Sequence, residues 1–542
     1  MLPAKKGSGS AGCTVHTDRH APSTRSVGVT GSGHRSSTGS HTLAMTEILF
    51  ARDVRSALRD ASTVLLAAPA RRLTGPTLQP LLGARLTPTA LALAKDTKPG
   101  DLGKVVSTLT GLGAPRKLVL GVLPDEVARH NSPSRAESLR RFGLSVAKEP
   151  GVRAVLVVLD DPAHALAAYV ALAKAMPLYS AKSNAGRRSG PVRVLAIGPS
   201  GQALPANASQ QETVAMTRMA ARLVDTPPAD LDTGRFAAEA RAALRGVPRV
   251  RVTEIAGDRL LRAGLRGVHT VGRAASVPPR VLVARWPGSA RRGPHVALVG
   301  KGIVYDTGGL HLKARGAMEG MKGDMGGAAA ALGAFRVLAR ERCPLPLSLV
   351  LCVAENAIGP GAFKPDDVLT MHSGKTVEIN NTDAEGRLLL ADGVSYAARV
   401  LRAGVVLDAA TLTGAQMVAT GLLHAAVVSN EDALERILIE AGRATGDLTH
   451  PLPFAPEFYK QEFSSPIADM RNSVANRSNA QSSCAAQFVW WHIEDTGVRW
   501  AHVDLAGPAM LKDRGTGFGV ALLAEAVRRI GRERGHGEDR RP

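Results

Sequence analysis

Aromatic residues make up only 4% of this 542-residue chain, and it has four cysteines. Cys13, Cys343, Cys352 and Cys484 show no C-x-x-C spacing and no framework density, so neither a disulfide scaffold nor a paired-cysteine site is indicated. A reduced, cytoplasmic setting fits buried free thiols such as Cys352 in the run PLSLVLCVAEN. No apolar run approaches the roughly 20 residues needed to span a bilayer, so no membrane partner is expected. No H-E-x-x-H pair occurs, which excludes a zinc peptidase site carried on one helix. Ser373-Gly374-Lys375-Thr376 has the ending of a phosphate-binding loop, but Leu369 stands where its first glycine is required. No apolar core follows the basic leader, which excludes a secretory signal peptide.

Acidic residues are in deficit. The 68 Lys and Arg against 47 Asp and Glu leave a net charge of +21. Residues 1–45 contribute +4 and residues 528–542 contribute +3, leaving +14 on the body. Such a charge attracts nucleic acid non-specifically. No compact basic helix or basic patch interleaved with aromatics accompanies it, however, so a solvated arginine-rich surface is the favoured reading over a nucleic-acid partner.

The length suits two domains, and 44% apolar residues supply a sizeable core. Residues 1–44 are rich in Ser, Gly, Thr and His without hydrophobic period and are expected to be a disordered leader, with Met45 reading as a natural start. Over 46–205, strands are expected at 117–122, 154–159 and 192–197, with a helix over 164–176, giving an N-terminal α/β domain. Residues 208–224 read as a connecting helix, stopped by Asp225-Thr226-Pro227-Pro228. Over 225–528, strands near 250–254, 280–284, 296–300, 347–353 and 404–408 alternate with helices and predict a central mixed sheet flanked by helices. The expected fold class is therefore α/β in two unequal domains, ending in a charged tail at 529–542.

Two segments carry chemistry. The first is Asn381-Thr382-Asp383-Ala384-Glu385-Gly386-Arg387-Leu388, following a predicted strand at 377–381. On an extended backbone Asp383, Glu385 and Arg387 share one face. Two acids so placed repel unless a cation lies between them. Taken alone, D-x-E-x-R is more simply a solvated turn before a helix. The second segment, VGKGIVYDTGGLHLKARGAMEGMKGDMGGAAA, supplies Lys301, Asp306, Lys313 and Asp324 among many glycines, which favour tight loops and close backbone approach. Asp324 is expected near a helix N-terminus. Asp306, Asp324, Asp383 and Glu385 together provide enough hard oxygens for two divalent ions sharing a carboxylate.

These segments resemble the leucyl aminopeptidase family, the dinuclear metal peptidases marked by NTDAEGRL. With KGIVYDTGGL, EINNTDAEGRL and DAATLTGAQ, the chain is most similar to the probable aminopeptidase-like branch. The likeness spans roughly residues 208–528, more weakly upstream. It implies a smaller, macro-like N-terminal domain without catalytic residues, and a metallopeptidase domain releasing N-terminal amino acids from peptides. Carried over, Asp306, Asp383 and Glu385 would hold one ion, and Lys301, Asp306, Asp324 and Glu385 the other. Zinc or manganese would occupy both positions. Lys313 would stabilise the developing oxyanion, and Arg387 would hold a bicarbonate serving as general base. Met321, Thr411, Leu412 and Gly414 would line the pocket for the first residue, although Met321 has an alternative reading as core filler. The resemblance also implies a free substrate N-terminus and a homohexamer.

The chain departs from the family pattern over 471–484, where RNSVANRSNAQSSC replaces a glycine- and alanine-rich stretch, so substrate preference cannot be carried over. A narrow dipeptidase of the Cys-Gly type, and a basic DNA-binding or scaffolding hexamer with weak peptidase activity, are the alternatives weighed. The intact set of acids and lysines argues against the scaffold, because clustered buried acids without a cation cost several kcal/mol.

Overall fold

The computed structural model describes residues 46–100, 104–183, 189–290 and 293–533. The expected leader at 1–44 and the end of the tail lie outside them.

The first sheet has seven strands. Six lie in the order Ile48–Phe50, Ser189–Ile197, Gly151–Val158, Thr63–Pro69, Lys117–Leu123 and Val105–Leu109, with Ala203–Leu204 paired outside Ser189–Ile197. Pairing is parallel except for Val105–Leu109 and Ala203–Leu204. Thr63–Pro69 is buried along its whole length because both faces are covered: Leu65 and Ala67 enter one core, Val64, Leu66 and Ala68 the other. A strand buried on both faces loses its polar alternation. This apolar run and the short Ile48–Phe50 were not among the strands expected from sequence.

The helix Ala208–Asp225 begins at a capping box in which Asn207 and Gln210 satisfy each other's backbone N–H groups. It stops just before Pro227-Pro228, whose missing donors cannot extend it.

The second sheet has eight strands in the order Thr449–Pro451, Ala425–Ser429, Arg499–Asp504, Val405–Ala410, Val296–Asp306, Leu347–Asn356, Arg280–Trp286 and Arg251–Ala256. Its centre is parallel and its margins include antiparallel pairs. Successive residues of Val296–Asp306 enter opposite cores, Leu298 on one face and Val299 on the other. The helix Gly326–Arg340 packs on the first face and Gly386–Arg399 on the second. Among the described residues, no helix is long and apolar enough to cross a membrane.

Three expectations need correction. The strand expected at 296–300 runs on to Asp306, so Lys301 lies within it and Asp306 ends it. The strand expected at 377–381 is only Thr376–Glu378 and belongs to a separate three-stranded sheet. The last helix, Val520–Glu533, also continues past the position where the charged tail was expected to begin.

Candidate active site

Lys301 and Asp306 are five residues apart, so a regular strand would aim them at opposite faces. The pairing of Val296–Asp306 with Leu347–Asn356 shifts register between Ile303 and Asp306. That irregularity turns Asp306 toward the cluster that Lys301 already faces. Asn356, opposite Asp306 in register and fully buried, donates from Nδ2 to Asp306 Oδ1 at 2.8 Å and to the Thr382 carbonyl at 3.1 Å. The Gly308 N–H donates to the same Asp306 oxygen at 2.8 Å.

Asp324 follows a short 3-10 turn, Met321–Gly323, and stands just ahead of the helix Gly326–Arg340. Thr411 Oγ1 donates to Asp324 Oδ1 at 2.7 Å.

The extended backbone expected for NTDAEGRL is not what forms. Thr382 and Asp383 occupy a turn, Glu385 is the N-cap with helical dihedrals (φ −75°, ψ −36°), and Arg387 lies in the first turn of Gly386–Arg399. Glu385 and Arg387 are buried, whereas Asp383 is 36% exposed at the rim. Asn472 clasps this turn. Its Oδ1 accepts from the Asn380 and Asn381 N–H groups, and its Nδ2 donates to the carbonyls of Asn381 and Ala384. Its own carbonyl accepts from Arg387 Nη1 at 3.0 Å. Gly386 is required for close approach, since a Cβ there would stand 2.6 Å from Lys301 Nζ.

The acids converge. Asp306, Asp324 and Glu385 each offer an oxygen within 4.8 Å of the others, the one such group of three or more among the described residues. Asp383 is not in that group; its carboxylate takes Lys313 Nζ, which also lies 2.8 Å from Asp306 Oδ2. Lys301 Nζ lies 2.8 Å from Asp324 Oδ1 and 3.0 Å from Glu385 Oε1, and donates to the Thr411 carbonyl at 2.9 Å.

Burial pushes the Glu385 carboxyl up to about 8, with Asp306 adding repulsion against the pull of Lys301. Burial likewise raises Asp324 to about 6, opposed first by Lys301. Burial also raises Asp383, against its hydrogen bond from Lys313. For Lys301 and Lys313, burial alone would depress the ammonium, but the surrounding carboxylates outweigh it and hold both above the ordinary lysine range. Burial lowers the Arg387 guanidinium to about 10.

Asp324 Oδ2 and Glu385 Oε2 are buried without a hydrogen-bond partner. Unpartnered carboxylate oxygens at this depth are costly, and oxygen donors in a tight cluster are what a hard dication binds. The residues therefore fit a divalent metal.

The cluster lines a cleft of about 460 Å³. Met321, Thr411, Leu412 and Gly414, expected from sequence to line a pocket, all reach its wall, and Met321 is only partly buried rather than core. Met417, Ser473, Arg477, Gln481, Ala509 and Met510 complete the lining and were not singled out from sequence. Ser473, Arg477 and Gln481 come from the divergent 471–484 segment. Asn356 and Asn472 were missed as well, because a lone asparagine far away in the chain carries no local signal.

An α/β fold with a buried acidic cluster beyond the central strands defines the class as a protein with a candidate metal centre. Residues 218–524 match the profile of the cytosol aminopeptidase family catalytic domain, and residues 76–185 that of M17 aminopeptidase N-terminal domain 2. The chain is 45% identical over 423 residues to probable aminopeptidase NPEPL1 of Homo sapiens, covering 74% of this chain and 78% of that protein. It is similar in structure to apo leucyl aminopeptidase from Trypanosoma cruzi, with TM-score 0.82 and 36% identity over 90% of this chain and 98% of that one. The Trypanosoma brucei leucyl aminopeptidase in complex with bestatin gives TM-score 0.81 and 35% identity, covering 90% and 96%. The chain belongs to the M17 cytosol aminopeptidase family and is a metal-dependent aminopeptidase. The dipeptidase and scaffold alternatives are not favoured.

Proposed function

We propose that Asp306, Asp383 and Glu385 hold one divalent ion and that Lys301, Asp306, Asp324 and Glu385 hold a second, zinc or manganese at both. The observation that carries this reading is the pair of unpartnered buried oxygens, Asp324 Oδ2 and Glu385 Oε2, within a triad of acids spanning 4.8 Å. When bound, the two ions supply a water of lowered pKa and polarise the scissile carbonyl. Lys301 can join a ligand set only as a neutral amine, so its proton must leave as metal enters. Lys313, held between Asp306 and Asp383, keeps its ammonium at the cleft edge, where it stabilises the developing oxyanion. Arg387, pinned by the Asn472 carbonyl with Nε left unpartnered, would hold a bicarbonate, which would supply a general base there. The walls near Met321, Leu412 and Gly414 take an apolar first side chain. The substrate's α-amine enters the acidic end, which selects peptides with a free N-terminus.

A division into an N-terminal domain over 46–205, a connecting helix over 208–224 and a catalytic domain from 225, extended from 528 to Glu533, is supported by the ranges of the two family profiles. The family resemblance supports a homohexamer in the cytoplasm, which sedimentation velocity and fractionation test. The +14 body charge is read as solvated arginine surface rather than a nucleic-acid site. Arginines such as Arg336 and Arg222 are engaged with Glu212 and Glu239.

The test is hydrolysis of aminoacyl-p-nitroanilides and peptides by purified protein with Mn²⁺ or Zn²⁺, then with chelator. Metal-restored cleavage that Glu385→Ala abolishes, together with loss of bound metal, supports the assignment. Full activity in Glu385→Ala would remove it.

A further inference from the structure

The metal cleft continues into a second, open groove of about 610 Å³, lined in part by Leu310, Leu312 and Ala314. The two share Lys313, Ala317, Asn381, Asp383 and Arg477. Met321, Leu412 and Met510 wall the metal cleft but not the open groove, and Arg477 lies where the two meet. If the first residue's side chain occupies the walled end, the rest of the peptide leaves through the open groove.

Arg477 is exposed, and among the described residues it forms no ion pair and no side-chain hydrogen bond. The nearby carboxylate of Glu462, on the 3-10 turn Lys460–Phe463, is otherwise committed. Glu462 accepts from Asn476 N–H at 2.9 Å and from Asn479 Nδ2 at 2.8 Å, and its carbonyl accepts from Ala475 N–H at 3.0 Å. Glu462 thus clamps residues 475–479 without contacting the guanidinium. On the opposite wall, Asp383 is occupied by Lys313. A planar cation held on a clamped loop beside the exit path suits a bidentate carboxylate.

We propose that Arg477 docks a carboxylate on the leaving-group side of the peptide, making it a specificity-determining residue of this aminopeptidase. The carboxylate is either the free C-terminus of a short peptide or an acidic side chain just beyond the scissile bond. The proposal rests on the aminopeptidase reading and on the direction of the chain in the cleft. Because Arg477 is solvent-exposed, the effect is modest and falls on KM.

The experiment uses the full chain loaded with Mn²⁺. It compares kcat/KM for Leu-Gly-Gly and its C-terminal amide, and for Leu-Asp-amide and Leu-Asn-amide, in wild type, Arg477→Ala, Arg477→Lys and Arg477→Glu. Wild type is expected to favour the acid member of at least one pair by about fivefold. Arg477→Ala is expected to bring that ratio to near one, Arg477→Lys to retain part of it, and Arg477→Glu to invert it. Preference confined to the first pair identifies the terminal carboxylate, and preference in the second the side chain. Thermal melts verify that each variant is folded. No acid preference in wild type, or a ratio unaltered in Arg477→Ala, overturns the proposal while leaving the aminopeptidase intact, because both peptides of a pair are still cleaved. If wild type cleaves neither these peptides nor Leu-p-nitroanilide, the parent reading fails and the proposal with it.

Discussion

Asn356 shows how one residue outside the ligand set can govern it. Its amide fixes Asp306 and the Thr382 carbonyl together, tying the end of one strand to the turn that carries Asp383. Asn356→Ala should weaken metal binding by about 10- to 100-fold, the usual effect of removing such a support, as read by calorimetric titration of the apo protein. His492 adds a pH-dependent contribution to stability. Burial, reinforced by Lys375 and Arg399, lowers its imidazole to about 3. The unfolded chain therefore binds this proton from near pH 6.5 downward while the folded chain does not. Stability falls as pH drops through that window. Between pH 7 and pH 5 the wild type should lose about 2 kcal/mol more than His492→Gln in urea unfolding. Parallel pH profiles for the two proteins would contradict this.

At the scale of elements, the site is assembled where a strand, a turn and two helix starts meet. The helix Gly386–Arg399 can begin against Lys301 only because its first residue lacks a side chain. Gly386→Ala should displace Lys301 from Asp324 and Glu385, leaving the global melt near wild type while metal content and kcat/KM fall by an order of magnitude or more. Metal content equal to wild type would show that Lys301 adjusts without cost. The element ends were only partly legible in sequence. The glycine run of the second segment correctly indicated tight turns, with Gly308 at φ +85° and Gly320 at φ +87°. The register irregularity before Asp306 was not legible, because it depends on pairing with a strand some fifty residues away. The NTDAEGRL block was read as extended, and a turn and an N-cap form instead, bringing Glu385 to Asp306 and Asp324 while Asp383 stays at the rim.

The whole molecule is joined by a buried ion pair. Lys174 ends a helix of the N-terminal sheet region and pairs with the fully buried Asp447, while lying 5.2 Å over the Phe518 ring. Asp447 also accepts from the N–H groups of Gly519 and Leu522 at the start of the last helix. Lys174→Met should cost about 3 kcal/mol, since it leaves a buried carboxylate with only backbone donors. The check is the unfolding free energy by denaturant titration, and a change below about 0.5 kcal/mol would mean that solvent reaches Asp447.

The sequence by itself determined the chemistry. The spacing of Lys301, Asp306, Asp324, Asp383 and Glu385 within two blocks, and the alternation of apolar runs with helical periods, were enough for an α/β protein with a candidate metal cluster, and the resemblance those blocks carry supplied the peptidase. Local patterns record such things because acids, glycines and period-two or period-3.6 burial act within a few residues. Only the tertiary structure decided which of those acids close to within 4.8 Å, that Asp383 stands apart at the rim, and that Asn356 and Asn472 hold the turns. It also brought Arg477 to the mouth of the cleft from a segment whose meaning was open. These facts depend on contacts between residues tens to more than a hundred positions apart, which packing of the two sheets and their helices creates and no local pattern encodes.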